Sequence, residues 1–192
     1  MLLFVCIAGG HSAALHGQQP REAAEPQRVA GRTLAEWTAE LRDPGEIVRL
    51  RAVRTINHFG AESVPALTRM LRDHETSVRY CAAIGLGDIG EDARPAKAQL
   101  TERLRDPLES VRLASAFALA RLGELETALP VLTAGLAHAD RAMACSAAEL
   151  LGRIGPPAAG ALPALEDARQ HSDIHVKGAA LNAVRAIRSE SE

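Results

Sequence analysis

The sequence has little aromatic material: one Trp, one Tyr and three Phe among 192 residues. A core filled by large rings is therefore excluded. The abundant Ala, with Leu, Val and Ile, suits helices that approach one another closely. There is also little net charge, 22 Lys and Arg against 24 Asp and Glu. That balance removes any bulk electrostatic reason to expect a nucleic-acid or membrane-surface partner. Cysteine is scarce. Three residues give no disulfide framework, and Cys81 and Cys145 fall two units apart in the register described below, too far to bridge. Both are expected to act as small, partly buried fillers.

Long apolar runs are missing as well. Leu2–Ala8 is far too short for a membrane span, which needs about 20 residues. With the small residues that follow, and Ser12-Ala13-Ala14 as a cleavage-like site, residues 1–17 read as a secretory signal. No Lys or Arg precedes the run, so the fit is imperfect, and a cytoplasmic chain is the alternative to export. Residues 18–32 are polar, carry two prolines and show no apolar period, so a flexible linker is expected there.

What the chain does have is repetition. Leu71–Gly90 reads LRDHETSVRYCAAIGLGDIG, and Leu104–Gly123 reads LRDPLESVRLASAFALARLG. Equivalent positions are Leu41, Leu71, Leu104, Leu136 and Arg169, at spacings of 30, 33, 32 and 33 residues. Seven residues after each stands Val48, Val78, Val111, Met143 or Val176. Twelve further on stands Gly60, Gly90, Gly123, Gly155 or Arg188. Between them, apolar or small residues recur at offsets 0, 4, 8 and 11, one stripe of a 3.6-residue period. The Gly marks a helix end that wants a left-handed residue. Each copy thus predicts two helices. The first opens with a Thr33–Glu36 capping box in copy one, and near Pro65, Pro130 and Pro163 later. Pro95 falls three residues early in its copy. One such pair cannot bury its stripe alone, whereas stacked copies bury it against each other. The expected fold is an all-α, right-handed α-solenoid of five helix-turn-helix repeats over residues 33–188, with a polar tail at 189–192.

These residues resemble the HEAT repeat family in its short, PBS-lyase HEAT-like form. The pattern is carried by Asp73, Val78-Arg79 and CAAIGLGDIG from Cys81 to Gly90. Tetratricopeptide repeats share the period, but their Trp, Tyr and Pro landmarks do not recur. The resemblance implies a structural ladder of a turn Asp and a helix Arg six residues apart: Asp43 with Arg49, Asp73 with Arg79, and Asp106 with Arg112. His138 and Ala144, then His171 and Lys177, take these slots in the last two copies, so the ladder should weaken there.

Two HEAT-like families are enzymes. Deoxyhypusine hydroxylase holds a di-iron site with paired His-Glu motifs. Here His74-Glu75 is the single His-Glu pair, and it lies in a turn. Bilin lyases carry similar repeats, but their pocket residues have no recognisable match. His171 and His175 straddle a predicted bend and read as solvated residues. No catalytic set, metal site or cofactor site is therefore expected. Trp37 is expected to cover the open face of the first repeat.

The remaining candidate is a surface. Second helices are expected to line the concave side, and offsets 3, 6 and 10 point away from the core stripe. These positions and their neighbours give a docking strip of Arg51, Arg54, Tyr80, Ile84, Phe117 and Arg121. The alternative, that Ile84 and Phe117 tuck between repeats, stays open at this point. The expected function is a non-catalytic scaffold that binds a protein or peptide, without nucleic acid and without a membrane span; the alternative is a bilin-lyase-like or other HEAT-repeat enzyme or enzyme accessory.

Overall fold

The computed structural model describes residues 26–188. The expected signal, most of the expected linker and the polar tail lie outside the described residues. The chain winds as five helix pairs: α1 (Leu34–Glu40) with α2 (Glu46–Ile56), α3 (Val64–Met70) with α4 (Thr76–Ile89), α5 (Lys97–Arg103) with α6 (Glu109–Arg121), α7 (Leu125–Leu136) with α8 (Arg141–Ile154), and α9 (Leu162–Ala168) with α10 (Ile174–Arg188). Among the described residues no helix is long and apolar enough to cross a membrane.

The second helices pack on one another in sequence order, α2 on α4, α4 on α6, α6 on α8 and α8 on α10. The first helices touch each other far less. A stack whose one row is tighter than the other curves toward the tight row, so the second helices line the concave side. Small residues make that row possible. A Cβ on Gly87 of α4 would stand 2.5 Å from Phe117 Cε1 of α6, and one on Gly152 of α8 would stand 3.1 Å from Ala183 Cα of α10. The result is a right-handed α-solenoid with one continuous aliphatic core from Trp37 to Ile187.

Gly90 and Gly155 close α4 and α8 with φ of 73° and 76° and ψ of −138° and −148°, and Gly60 takes the same conformation, φ 59° and ψ −138°, inside the 3₁₀ segment that follows α2. This lies outside the left-handed helical basin that the sequence pattern suggests, in a region open essentially to glycine. It sends the chain into a short 3₁₀ segment before the next helix. The fourth copy differs. α7 begins at Leu125, because the segment that forms a separate 3₁₀ turn elsewhere is here wound into the helix itself. Pro130 therefore stands inside α7 and does not mark its start, contrary to the sequence expectation.

The linker expectation also needs correction where it overlaps the described residues. β1 (Arg28–Val29) and β2 (Arg32–Thr33) form an antiparallel hairpin. Its anchor is Trp37, whose Nε1–H donates to the Val29 carbonyl at 2.9 Å. The Arg32 guanidinium lies 4.3 Å from the indole centroid. The ring is buried under this hairpin and covers the first repeat. The capping box is present, with the Thr33 N–H donating to Glu36 Oε2 at 2.7 Å and the Glu36 N–H to Thr33 Oγ1 at 3.4 Å.

Candidate functional site

The Asp–Arg ladder is real but runs between copies, not within them. Arg49 donates through Nε and Nη2 to Asp73 at 2.8 and 3.0 Å, and Arg79 in the same way to Asp106 at 2.9 and 3.0 Å. Within its own copy each Arg meets only carbonyls: Arg49 those of Asp43 and Pro44, Arg79 those of Asp73 and His74. The reach explains the shift. An Arg one turn into the second helix lies over its own turn's backbone, and its fork extends to the carboxylate of the next turn. Each Asp also accepts the backbone N–H two residues on: Gly45 for Asp43, Glu75 for Asp73, Leu108 for Asp106. Burial alone would raise the pKa of Asp73 and Asp106. The Arg bonds and the backbone N–H groups outweigh it, and both carboxyls sit below their ordinary value.

His138 and His171 keep the turn but not the charge. The Nδ1 of each accepts the N–H two residues on, from Asp140 and Asp173. Arg112, with no carboxylate ahead of it, keeps the carbonyls of Asp106 and Pro107 and turns its fork to Glu109.

The expected docking strip is not continuous. Arg54 is exposed. Arg51 is exposed but pairs with Glu40 at 2.8 Å. Tyr80 and Ile84 are half-buried against the core. Arg121 is exposed at the end of α6, where its Nε–H donates to the Gly87 carbonyl at 3.4 Å. Phe117 is 1 % exposed and offers no surface. The cause is closure from both sides. The Arg153 guanidinium of α8 lies 4.4 Å from the Phe117 centroid and pairs with Asp88 of α4, two copies away. From Leu113 to Ala120 every residue of α6 is buried. The Asp88–Arg153 clasp covers Phe117 towards the C-terminal end of α6, while a hollow of about 380 Å³ stays open at its N-terminal end between Tyr80, Ser110 and Met143.

Beyond the clasp the concave side opens into a cleft of about 840 Å³ between α8 and α10. Its α8 wall is Arg141, Cys145, Glu149 and Arg153, spaced four residues apart and so along one side of the helix. Gly152 and Ala183, where the two helices touch, form its floor, Gly178, Ala179 and Ala186 line it with small side chains, and His175 and Asn182 supply polar groups on α10. Ile174, 75 % exposed, stands at one end. The concave-side offsets of the sequence repeat point to the same place. Offsets 3, 6 and 10 in the last two copies give Ser146, Glu149, Arg153, Ala179, Asn182 and Ala186, all but Ser146 lining the cleft.

Neither thiol is activated. Burial raises the pKa of Cys145, with Asp173 and Glu149 adding to it and Arg141 opposing. Burial likewise raises that of Cys81 against the pull of Arg54. Both therefore stay protonated near neutral pH. His171 borders a different hollow from His175, so the two do not converge. Among the described residues no three His, Cys, Asp or Glu side chains are grouped to hold a metal.

Comparison with known proteins agrees with this geometry. A family model described as HEAT repeats matches residues 34–120, and one described as PBS lyase HEAT-like repeat matches residues 111–138. No curated protein matches in sequence. Among solved structures, the complex of CpcE and CpcF of phycocyanin lyase from Nostoc sp. PCC7120 is similar at 26% identity and a TM-score of 0.59, over 91% of this chain and 70% of that one. A designed armadillo repeat protein in complex with the peptide (KR)4 is similar at 21% identity and a TM-score of 0.52, over 80% and 81%. An engineered protein is similar at 22% identity and a TM-score of 0.56, over 82% of each chain.

Proposed function

The chain belongs to the HEAT-repeat family, and from that premise we propose that it is a non-catalytic scaffold whose α8–α10 cleft receives a segment of a partner protein. The observation that carries this reading is the contrast along the concave side. In the third copy the chain's own Asp88–Arg153 clasp covers Phe117 and leaves a hollow of about 380 Å³, whereas the next groove is about 840 Å³, of ligand size and lined by small residues beside polar ones. Arg141 to Arg153 spans about 18 Å of helix, the length of five or six extended residues. A rigid solenoid can offer such a groove with little ordering of its own. A similarly folded designed protein is solved with a peptide, which supports the use of the fold.

The test uses Gly178. A Cβ there meets nothing within 4 Å, so the Gly178→Trp side chain leaves the helix into open space at the cleft. Wild-type protein should enrich binders from a displayed library of random 12-residue peptides, and Gly178→Trp, with an unchanged melting temperature, should not. Equal enrichment on both proteins rejects the cleft.

A second reading is an enzyme or enzyme accessory of the bilin-lyase type. It is favoured by the likeness to the CpcE–CpcF complex and by the PBS-lyase-like match. Absorbance of a free bilin titrated with purified protein separates the two. A shifted spectrum saturating near one equivalent supports the lyase-like reading, and an unchanged spectrum supports the scaffold.

A further inference from the structure

We propose that the cleft selects a partner segment carrying a Lys or Arg side chain, and that Glu149 is the residue that reads it. This rests on the reading of the cleft as a peptide site and adds what that peptide must bring. Three ionic side chains line the cleft. Arg141 is paired with Asp173 at 3.7 Å, and Arg153 is held by Asp88 while it stacks on Phe117. Among the described residues Glu149 has neither a hydrogen bond nor an ion pair. Lys177, Arg185 and Arg188, exposed cations of α10, do not border the cleft, and Arg188 is paired with Glu166. Both arginine charges are thus matched by the protein itself, and one carboxylate is left over in the middle of the α8 wall.

Position strengthens the case. Glu149 stands one turn from Cys145 and one turn from Arg153, and it is exposed. In water its carboxylate needs no partner. Once a segment covers the cleft, an unmatched carboxylate would be desolvated at a cost, whereas an ammonium or guanidinium group meets it as a charge-assisted hydrogen bond. An acidic segment meets that leftover charge directly, because it gains Arg141 or Arg153 only by displacing Asp173 or Asp88. The small residues of the cleft leave room for the apolar stem of a Lys or Arg.

The experiment uses three displayed 12-residue libraries, random except for a fixed central Lys, Gln or Glu, panned on wild type, Glu149→Gln, Glu149→Lys and Gly178→Trp. The expected result on wild type is enrichment of the Lys-centred set over the other two. That preference should fall by about tenfold on Glu149→Gln, the scale of one charge-assisted hydrogen bond. It should reverse toward the Glu-centred set on Glu149→Lys and vanish on Gly178→Trp. Enrichment that Gly178→Trp abolishes but that ignores the central residue, or survives Glu149→Gln unchanged, overturns the role of Glu149 and leaves the cleft reading intact. No enrichment from any set on wild type overturns both. Glu149 is exposed, so neither substitution should alter the fold, and equal melting temperatures check this.

Discussion

Asp106→Ala is the perturbation that best separates a structural ladder from surface ion pairing. The Asp106 side chain is 1% exposed and that of Arg79 is 9%. Asp106 accepts two bonds from Arg79 and one from the Leu108 N–H. Removing the carboxylate leaves a buried guanidinium with its Nε and Nη2 donors unmatched and frees the turn before α6. Breaking a buried pair from one side costs about 3–5 kcal/mol. For a chain of this size about 1 kcal/mol moves the melting temperature by roughly 2–4 °C, so a fall of about 6–20 °C is expected. Urea unfolding followed by far-ultraviolet circular dichroism measures the loss. Arg72–Glu102, at 3.5 Å with side chains 63% and 52% exposed, is the contrast. Glu102→Ala should cost less than about 1 kcal/mol. The double variant Arg79→Met/Asp106→Leu should recover most of the loss, because the cost lies in the orphaned charge and not in the missing attraction. A loss below about 1 kcal/mol for Asp106→Ala would refute the reasoning.

Acid should act through the same residues. The folded pKa values of Asp73 and Asp106 lie below the unfolded carboxyl value, so their contribution is complete above about pH 4 and is lost as pH falls through the folded values. The urea midpoint should drop on acidification below about pH 4, and less steeply in Arg79→Met/Asp106→Leu; equal slopes would remove the ladder from the acid response. His138→Asp should extend the ladder by offering Arg112 a carboxylate, gaining about 1 kcal/mol, and a neutral or lower urea midpoint would show that Arg112 is content with Glu109. Gly87→Ala should cost about 1–3 kcal/mol because its Cβ would collide with Phe117, whereas Gly178→Ala meets open space and should stabilise by up to about 1 kcal/mol. Equal effects at the two glycines would contradict the close α4–α6 packing.

What could be read from the sequence was local. The capping box of Thr33 and Glu36 and the glycine that follows the second helix in the first four copies come from backbone chemistry within a few residues. The stacked fold follows from a stripe that repeats about every 32 residues. What escaped depends on approach between copies. The six-residue spacing puts Asp73 in the turn and Arg79 in the first turn of α4 but does not say that Arg79 answers Asp106. The burial of Phe117 depends on Gly87 in α4, which lets the ring come close, and on Arg153 in α8, which covers it. Neither residue differs from an ordinary helical Gly or Arg when read alone. Val29 looked like part of a polar lead-in because its partner, Trp37, lies eight residues on.

The most direct measurement is an amide chemical-shift map of the labelled protein titrated with a library-selected peptide. Shifts should concentrate in α8 and α10, around Cys145, Glu149, Gly178 and Asn182, with α2 and α6 silent. Shifts centred on Arg51 and Arg54 with α8 and α10 unmoved would contradict the cleft reading.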